Sequence, residues 1–234
     1  MNSFASYYHA LSFSQEGYEA YLTWLKSEAK GYAILDCACG TGYFSKLCAE
    51  AGFTVDAIDI DPDMIIYAKL HNVHDNVSYY CHTMLELSDF KQYDVITVFL
   101  DSLNYLNDLD QIKVFCEEAY THLKPNGCLL FDVHQEKRLL EFEEEFIEEG
   151  YVMNIPYQWT IQTLDAHQLH HQFIFYEEEL KKHSFTQTIF SLQDILEILE
   201  SIDFKVDVKL GLDELSNDEK YYISARKGLL CTQL

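Results

Sequence analysis

The chain has 234 residues, of which 48% are hydrophobic, so it can bury the core of one large α/β domain or of one domain with an insertion. Its 16 basic residues stand against 39 acidic ones, and the net charge of −23 would repel DNA or RNA and favours a neutral or cationic small molecule as partner. The first residues do not read as a signal peptide and no apolar run is long enough to span a bilayer, so we expect a cytoplasmic protein with no membrane partner.

Hydrophobic periodicity predicts a doubly wound α/β domain. Residues 3–29 show apolar positions at helical spacing and predict one or two amphipathic helices, so residues 1–31 are interpreted as an N-terminal helical lid. From residue 32 to residue 134, strand-like and helix-like segments alternate, which predicts a mostly parallel sheet with helices on both faces. The predicted strands are 32–38, 53–61, 76–82, 93–101 and 128–134, and the predicted helices are 43–52, 62–71 and 109–123.

The alternation stops after residue 134, and residues 135–190 are interpreted as an inserted antiparallel sheet on the substrate side. The acidic stretch 136–150 predicts a helix or coil. A helix over 191–204, capped by Ser191, then leads to the closing strands of a seven-stranded sheet, all within a single domain of residues 1–234. The predicted inserted strands are 151–164, 167–180 and 181–190, and the closing strands are 205–211 and 221–228.

The segment ILDCACGTG, residues 34–42, joins a strand, an acid and a run of small residues. Gly40 and Gly42 allow positive φ and the close approach of a ligand to the backbone, and the next helix would point its free N–H groups at that ligand. Asp59, at the end of the second predicted strand, stands where an acid accepts hydrogen bonds from a ribose diol. The pattern therefore predicts a nucleoside cofactor.

The choice of cofactor depends on Asp36 and Ser45. The dinucleotide fingerprint requires a third small residue at the position of Ser45, and it lacks the carboxylate found here at Asp36. This carboxylate would repel a pyrophosphate but attract an ammonium or sulfonium group. S-adenosylmethionine is therefore favoured over NAD, and an NAD-dependent oxidoreductase is kept as a weaker alternative.

Residues 33–134 resemble the class I S-adenosylmethionine-dependent methyltransferases. ILDCACGTG resembles the first motif of that family, with Ala38 at a position usually held by glycine, and IDIDPDMIIYAK resembles the second motif. YDVITVFLDSLNYL and LKPNGCLLFDVH are similar to a bacterial small-molecule-like subgroup, which also has a small inserted sheet after its fifth strand. The resemblance implies a Rossmann-like fold and S-adenosylmethionine as cofactor. The cofactor-binding residues that it implies are Asp36, Ala38, Cys39, Gly40, Thr41, Gly42, Asp59, Ile60, Met64, Thr83, Met84, Leu100 and Asp101.

Two further places depart from the family pattern. His82 or Thr83 stands where an aspartate commonly accepts the adenine amino group, so the Thr83 hydroxyl and the N–H of Met84 are expected to serve the base instead. Tyr8-His9 replaces the Tyr-Asp pair that the subgroup often has near its N-terminus. The change at Thr83 leaves open a second hypothesis, a non-catalytic protein that binds S-adenosylmethionine or adenosine.

The predicted reaction is the in-line transfer of a methyl group to an N or O nucleophile of a small molecule. Such an enzyme supplies orientation, and also a base if the nucleophile carries a proton. The candidate catalytic residues are Asp101, Asn104 and Tyr105, which follow the fourth strand, and His134, which ends the fifth. The alternative for Asp101 is a helix cap.

Aromatic side chains are concentrated in the predicted insertion. They are expected to form its core, to wall a substrate cavity that can accept a cation, or to offer a homodimer interface. His170 and His171 are neighbours on a strand and would point to opposite faces, so no metal site is predicted. The aromatic residues concerned are Tyr157, Trp159, Phe173 and Phe175.

Overall fold

The computed structural model of the chain describes residues 3–212 and 219–228 and has two β-sheets within them. The strands are β1 (Ala33–Cys37), β2 (Thr54–Asp59), β3 (Val77–Cys81), β4 (Tyr93–Val98), β5 (Leu123–His134), β6 (Phe146–Val152), β7 (Ile155–Asp165), β8 (Gln168–Tyr176), β9 (Leu180–Thr188), β10 (Phe204–Lys209) and β11 (Lys220–Lys227). The helices are α1 (Phe4–Ser12), α2 (Gln15–Glu28), α3 (Tyr43–Glu50), α4 (Pro62–His71), α5 (Leu109–His122), α6 (Arg138–Glu141) and α7 (Leu192–Ser201), with a 3₁₀ turn at Ser102–Tyr105.

The larger sheet has the strand order β10-β11-β5-β4-β1-β2-β3. β1 to β5 run parallel to one another, whereas β11 is antiparallel to both β5 and β10. The predicted doubly wound, mostly parallel seven-stranded sheet is therefore confirmed. The chain continues from β1 to β2 on one side while β4 pairs with β1 on the other, so the strand order reverses beside β1. This reversal is the place where open α/β sheets bind their ligands.

Helices cover both faces of the larger sheet. α2, α3 and α4 pack on one face around Ile34 and Val95, and α5 and α7 pack on the other around Leu35 and Ile96. All four of these side chains are fully buried, and burying an apolar side chain of this size stabilises the fold by about 1.5–3 kcal/mol. Because both faces are covered, the central strands have continuous apolar sequences instead of alternating ones.

The smaller sheet is antiparallel, with the order β6-β7-β8-β9, and it follows β5 as predicted. The prediction of helix or coil over 136–150 is wrong in its last part, because Phe146–Val152 forms the edge strand β6. Glu148 and Glu149 lie on this edge, where charged side chains discourage pairing with other chains. The acidic character of this segment led to the prediction of helix or coil in place of a strand.

The two N-terminal helices have different neighbours. α2 joins the core of the larger sheet through Tyr21, Trp24 and Leu25. α1 packs on the smaller sheet, where the ring of Tyr7 stacks on Phe175 with centroids 4.4 Å apart. Within the segment that the sequence suggests as a lid, α1 therefore packs against the inserted sheet.

Candidate functional site

The glycine loop between β1 and α3 has three residues with left-handed backbone at alternate positions, namely Ala38 (φ 53°), Gly40 (φ 52°) and Gly42 (φ 78°). A Cβ on Gly42 would lie 2.7 Å from the Tyr79 ring and 2.8 Å from the Cβ of Ala68, so glycine is required there for packing. A Cβ on Gly40 would meet no atom within 4 Å, and Gly40 lines a cavity. The loop thus rests on the protein at Gly42 and presents bare backbone at Gly40.

Asp36 lies beneath this loop. The Ser45 hydroxyl donates to its Oδ2 (2.5 Å) and the Thr97 hydroxyl to its Oδ1 (2.7 Å). Burial raises the pKa of Asp36 to about 6, although both hydroxyl groups act in the opposite direction. The carboxyl group is therefore anchored within the protein and fixes the start of the loop, and its contact with a cofactor stays a prediction.

Asp59 joins the glycine loop to the start of α4. Its Oδ2 accepts the N–H of Gly40 (2.7 Å) and its Oδ1 accepts the N–H of Asp61 (2.9 Å). Burial raises the pKa of this carboxyl group. Each carboxylate oxygen has two lone pairs, so Asp59 can still accept hydrogen bonds from a ligand such as a ribose diol.

A cavity of about 390 Å³, the outer cavity, lies between the glycine loop, the start of α4, α1 and β9. The carboxyl group of Asp59 and the apolar side chains of Ile60, Met64 and Met84 line it. The predicted cofactor residues that line the outer cavity are Ala38, Gly40, Asp59, Ile60, Met64 and Met84. Those that do not line it are Asp36, Cys39, Thr41, Gly42, Thr83, Leu100 and Asp101.

Several of the residues outside the lining hold the surrounding loops. The Thr41 hydroxyl lies 3.0 Å from Nδ1 of His9 in α1, and the Thr41 carbonyl accepts a hydrogen bond from Asn72 (2.8 Å). The Thr83 hydroxyl accepts the N–H of Leu85 (3.2 Å), so it already has one local partner. These contacts hold in place the loops whose other residues line the outer cavity.

A second cavity of about 250 Å³, the inner cavity, lies between the carboxyl end of β5 and the smaller sheet. Tyr8, Tyr105 and Phe185 line both cavities, so the two cavities adjoin. Asp101 and His134, two predicted catalytic residues, line the inner cavity.

The segment after β4 turns sharply into the inner cavity. Leu100 (φ 59°) and Asp101 (φ 53°) are consecutive non-glycine residues with left-handed backbone, a conformation that costs about 1–3 kcal/mol at each residue. The N–H of Asp101 donates to Oδ2 of the buried Asp132 (2.9 Å). The Asp101 side chain makes no capping hydrogen bond to the 3₁₀ turn, so the helix-cap alternative is not realised.

Instead, the Asp101 carboxylate is the centre of a polar cluster. Gln187 donates to its Oδ2 (2.7 Å), Nε2 of His134 lies 3.4 Å from the same oxygen, and the Lys220 ammonium contacts Oδ1. Burial alone would raise the pKa of Asp101, but the charge of Lys220 and the proximity of His134 hold it well below its usual range. Asp101 is therefore a carboxylate at neutral pH.

Asn104 and Tyr105 have different positions. The Asn104 side chain donates to the carbonyl of Thr188 (2.7 Å) and accepts the N–H of His134 (3.1 Å). It lines neither cavity, which favours a structural role that ties the 3₁₀ turn to β5 and β9. Tyr105 lines both cavities, and burial raises the pKa of its hydroxyl group well above the usual value.

Sequence reasoning missed Lys220, Gln187 and Asp132 as members of this cluster. Lys220 begins β11 and pairs in register with His134 of β5. Because β11 runs antiparallel to β5, its first residue lies at the same edge of the sheet as the last residue of β5. Only the strand order could have indicated this.

The aromatic residues of the smaller sheet divide into two groups. Trp159 and Phe173 line the inner cavity, together with the missed residue His171. Tyr157 and Phe175 line neither cavity and belong to the core between α1 and the smaller sheet.

A mostly parallel sheet with a bare glycine loop at its switch point and an acid at the end of β2 is the arrangement with which open α/β proteins bind nucleotide-type ligands. Residues 34–127 match the family model of a methyltransferase domain. A protein of Geobacillus sp. (strain WCH70) that carries a methyltransferase name is 31% identical over 183 residues, 74% of each chain. The chain belongs to the class I S-adenosylmethionine-dependent methyltransferases, and its cofactor is S-adenosylmethionine.

Solved structures share the fold at lower identity. An S-adenosylmethionine-dependent methyltransferase from Clostridium acetobutylicum ATCC 824 has a TM-score of 0.79 at 19% identity, covering 96% of this chain and 98% of its own. CalS10, an amino pentose methyltransferase from Micromonospora echinaspora, has a TM-score of 0.77 at 14% identity, covering 97% and 98%. No helix within residues 3–212 and 219–228 has both the length and the apolar character needed to cross a membrane.

Proposed function

We propose that the outer cavity holds S-adenosylmethionine and that the inner cavity holds its methyl acceptor, a small molecule with an N or O nucleophile. The residues of the outer cavity fit the cofactor. Gly40 leaves room for a ligand against bare backbone, and Asp59 has lone pairs left for ribose hydroxyl groups. Ile60, Met64 and Met84 offer an apolar surface for the adenine ring.

The observation that supports an acceptor site most directly is that Tyr8, Tyr105 and Phe185 are shared by the two cavities. A molecule in the inner cavity would therefore lie next to one in the outer cavity, as direct methyl transfer requires. Ligand pockets typically measure roughly 300–1,000 Å³, so a cavity of about 250 Å³ suits a small acceptor or one reacting group of a larger one. CalS10, whose fold is similar, is named for an amino pentose acceptor, which agrees with this size class.

When bound, S-adenosylmethionine supplies a methyl group that is already activated on a sulfonium. The side chains of the chain then orient the acceptor and take up its proton. Asp101, as a carboxylate 3.4 Å from Nε2 of His134, favours the tautomer with the proton on Nε2. Asp101 and His134 both line the inner cavity, and this pair is the proposed proton acceptor.

The test is a transfer assay with S-adenosylmethionine labelled in the methyl group and a metabolite extract, separated afterwards into small molecules, protein and nucleic acid. Label is expected in the small-molecule fraction. The control variant Asp101→Asn should lose transfer but still bind S-adenosylhomocysteine in calorimetry, because Asp101 does not line the outer cavity. Label found only in macromolecules would refute the small-molecule acceptor.

Binding without transfer to any fraction would instead support the second hypothesis, a non-catalytic protein that binds the cofactor. The specific observation in its favour is Thr83, which replaces an acid and whose hydroxyl group already accepts a backbone N–H.

A further inference from the structure

Lys220 has an unusual place for a lysine. Its side chain is 17% exposed, its ammonium contacts Oδ1 of Asp101, and it lies 3.0 Å from Oδ2 of Asp132, whose side chain is fully buried. Lysine is almost never buried unless it is paired, and this one is paired with two carboxylates. Burial alone would lower the pKa of Lys220, but the charges of Asp101 and Asp132 raise it well above its usual value.

We propose that Lys220 is a positioning residue for methyl transfer, whose ammonium bridges Asp101 and Asp132 and holds the Asp101 carboxylate, in its charged form, beside His134. This inference rests on the proposed function, because it gives the Asp101–His134 pair the role of accepting the proton of the nucleophile.

The bridge closes a ring of contacts around the strained turn after β4. Asp132 Oδ2 accepts both the N–H of Asp101 (2.9 Å) and a hydrogen bond from Lys220 (3.0 Å), and Lys220 in turn holds the Asp101 side chain. Backbone and side chain of Asp101 are thus fixed by the same two partners. Such double fixation can hold a left-handed non-glycine residue in place.

Among the described residues, the only other titratable group that favours the charged form of Asp101 is His134, and no second lysine or arginine contacts the Asp101 carboxylate. On the strands, the titratable neighbours of Asp101 are Asp132, His134, His171 and Lys220. On the helices and the 3₁₀ turn they are Tyr8, Tyr21 and Tyr105. Arg138 also lines the inner cavity, but it contacts Glu141 and lies 3.6 Å from Glu219.

Without the Lys220 charge, the effect of burial on the pKa of Asp101 should therefore outweigh the effects that lower it. A buried carboxyl group without a cation has a raised pKa, by up to about 3–5 units when fully buried. Asp101 would then bind a proton near neutral pH and cease to favour the Nε2–H tautomer of His134. Transfer would be lost first at the acid end of the pH range.

The experiment measures the Asp101 titration directly, by ¹³C NMR of protein labelled at the aspartate γ-carboxyl carbon, with the Asp101 signal assigned by its absence in Asp101→Asn. In the wild type this signal should not titrate between about pH 5 and pH 8. In Lys220→Met the titration should move upward by about 2 pH units or more, into that range. Lys220→Arg, which keeps the charge, should behave as the wild type does.

Removing one partner of a buried ion pair can prevent folding. The double variant Lys220→Met/Asp132→Asn removes the second carboxylate as well, so that Asp101 is the only one of the two left without a cation and folding is less affected. Its Asp101 titration should still lie at higher pH than that of the wild type. All variants should keep wild-type affinity for S-adenosylhomocysteine, because neither Lys220 nor Asp132 lines the outer cavity.

Once an acceptor fraction is in hand, the transfer rate can be measured against pH. In Lys220→Met the pH at which transfer falls off on the acid side should shift upward together with the Asp101 titration. In Lys220→Arg it should lie at the wild-type value. An unchanged Asp101 titration in both methionine variants, with transfer lowered equally at every pH, would overturn the proposal and leave Lys220 as a support for β11. A wild type that transfers no methyl group would count against the proposed function, while the NMR titration still decides whether Lys220 keeps Asp101 charged.

Discussion

Replacement of Gly40 by valine is expected to abolish cofactor binding while the sheet still folds. Gly40 has φ +52°, which is unfavourable for a β-branched residue, and its added Cβ would meet no protein atom within 4 Å. The cost to folding is therefore limited to the backbone penalty of about 1–3 kcal/mol. The added methyl groups would stand where the backbone faces the outer cavity, so affinity for S-adenosylhomocysteine should fall at least about a hundredfold, or about 2.8 kcal/mol.

Gly52 provides a matched control. It also has positive φ (+97°), and a Cβ there would also meet no atom within 4 Å, but it does not line the outer cavity. Gly52→Val should lose stability in urea denaturation and keep wild-type affinity in calorimetry. If Gly40→Val had a native circular dichroism spectrum and wild-type affinity, or if both variants lost affinity equally, the assignment of Gly40 to the cofactor site would be wrong.

Three further predictions concern Asp59, Asp36 and Trp159. Asp59→Ala removes a charged acceptor, a loss of about 1.5–3 kcal/mol, so calorimetry should find S-adenosylhomocysteine bound roughly ten to a hundred times more weakly; unchanged affinity would remove Asp59 from the site. The pKa of Asp36 is raised from 3.8 to about 6, so ionisation of this group opposes folding and the wild type loses stability as the pH rises toward 6. In urea denaturation, the free energy of unfolding of Asp36→Asn should exceed that of the wild type by about 3 kcal/mol at pH 8 and by little below about pH 4. An equal gain at both pH values would contradict the burial argument. Trp159→Ala should reduce methyl transfer without changing S-adenosylhomocysteine affinity, because Trp159 lines the inner cavity and not the outer one. Loss of both transfer and affinity would show that the two sites are not separate.

The parallel part of the fold was predictable because local patterns record it. Buried strands such as Tyr93–Val98 have continuous apolar sequences, and Pro62 and Ser191 mark helix starts. The glycine loop was predictable for the same reason, because Gly40 and Gly42 follow a strand directly and precede a helix. The structure adds that the two glycines have different tasks, which depends on the distant side chains of Tyr79 and Ala68.

The acceptor side could not be predicted as well, because it depends on contacts between distant parts of the chain. Asn104 follows the same strand as Asp101, yet its amide is used by the backbone of β5 and β9. Lys220 has no local pattern at all, and its role depends on β11 lying next to β5. Edge strand β6 was missed because its glutamates read as a helix or coil.

The bridge between Asp101 and Lys220 also sets an order of events during protein synthesis. The two residues are 119 positions apart, and a ribosome adds about 5–20 residues per second, so roughly 6–24 s separate their emergence. In that interval the glycine loop and Asp59 are already synthesised, while Asp101 and Asp132 still lack their cation. The nascent chain thus has the elements of its nucleoside site before those of its reaction centre, which is complete only when β11 inserts between β10 and β5.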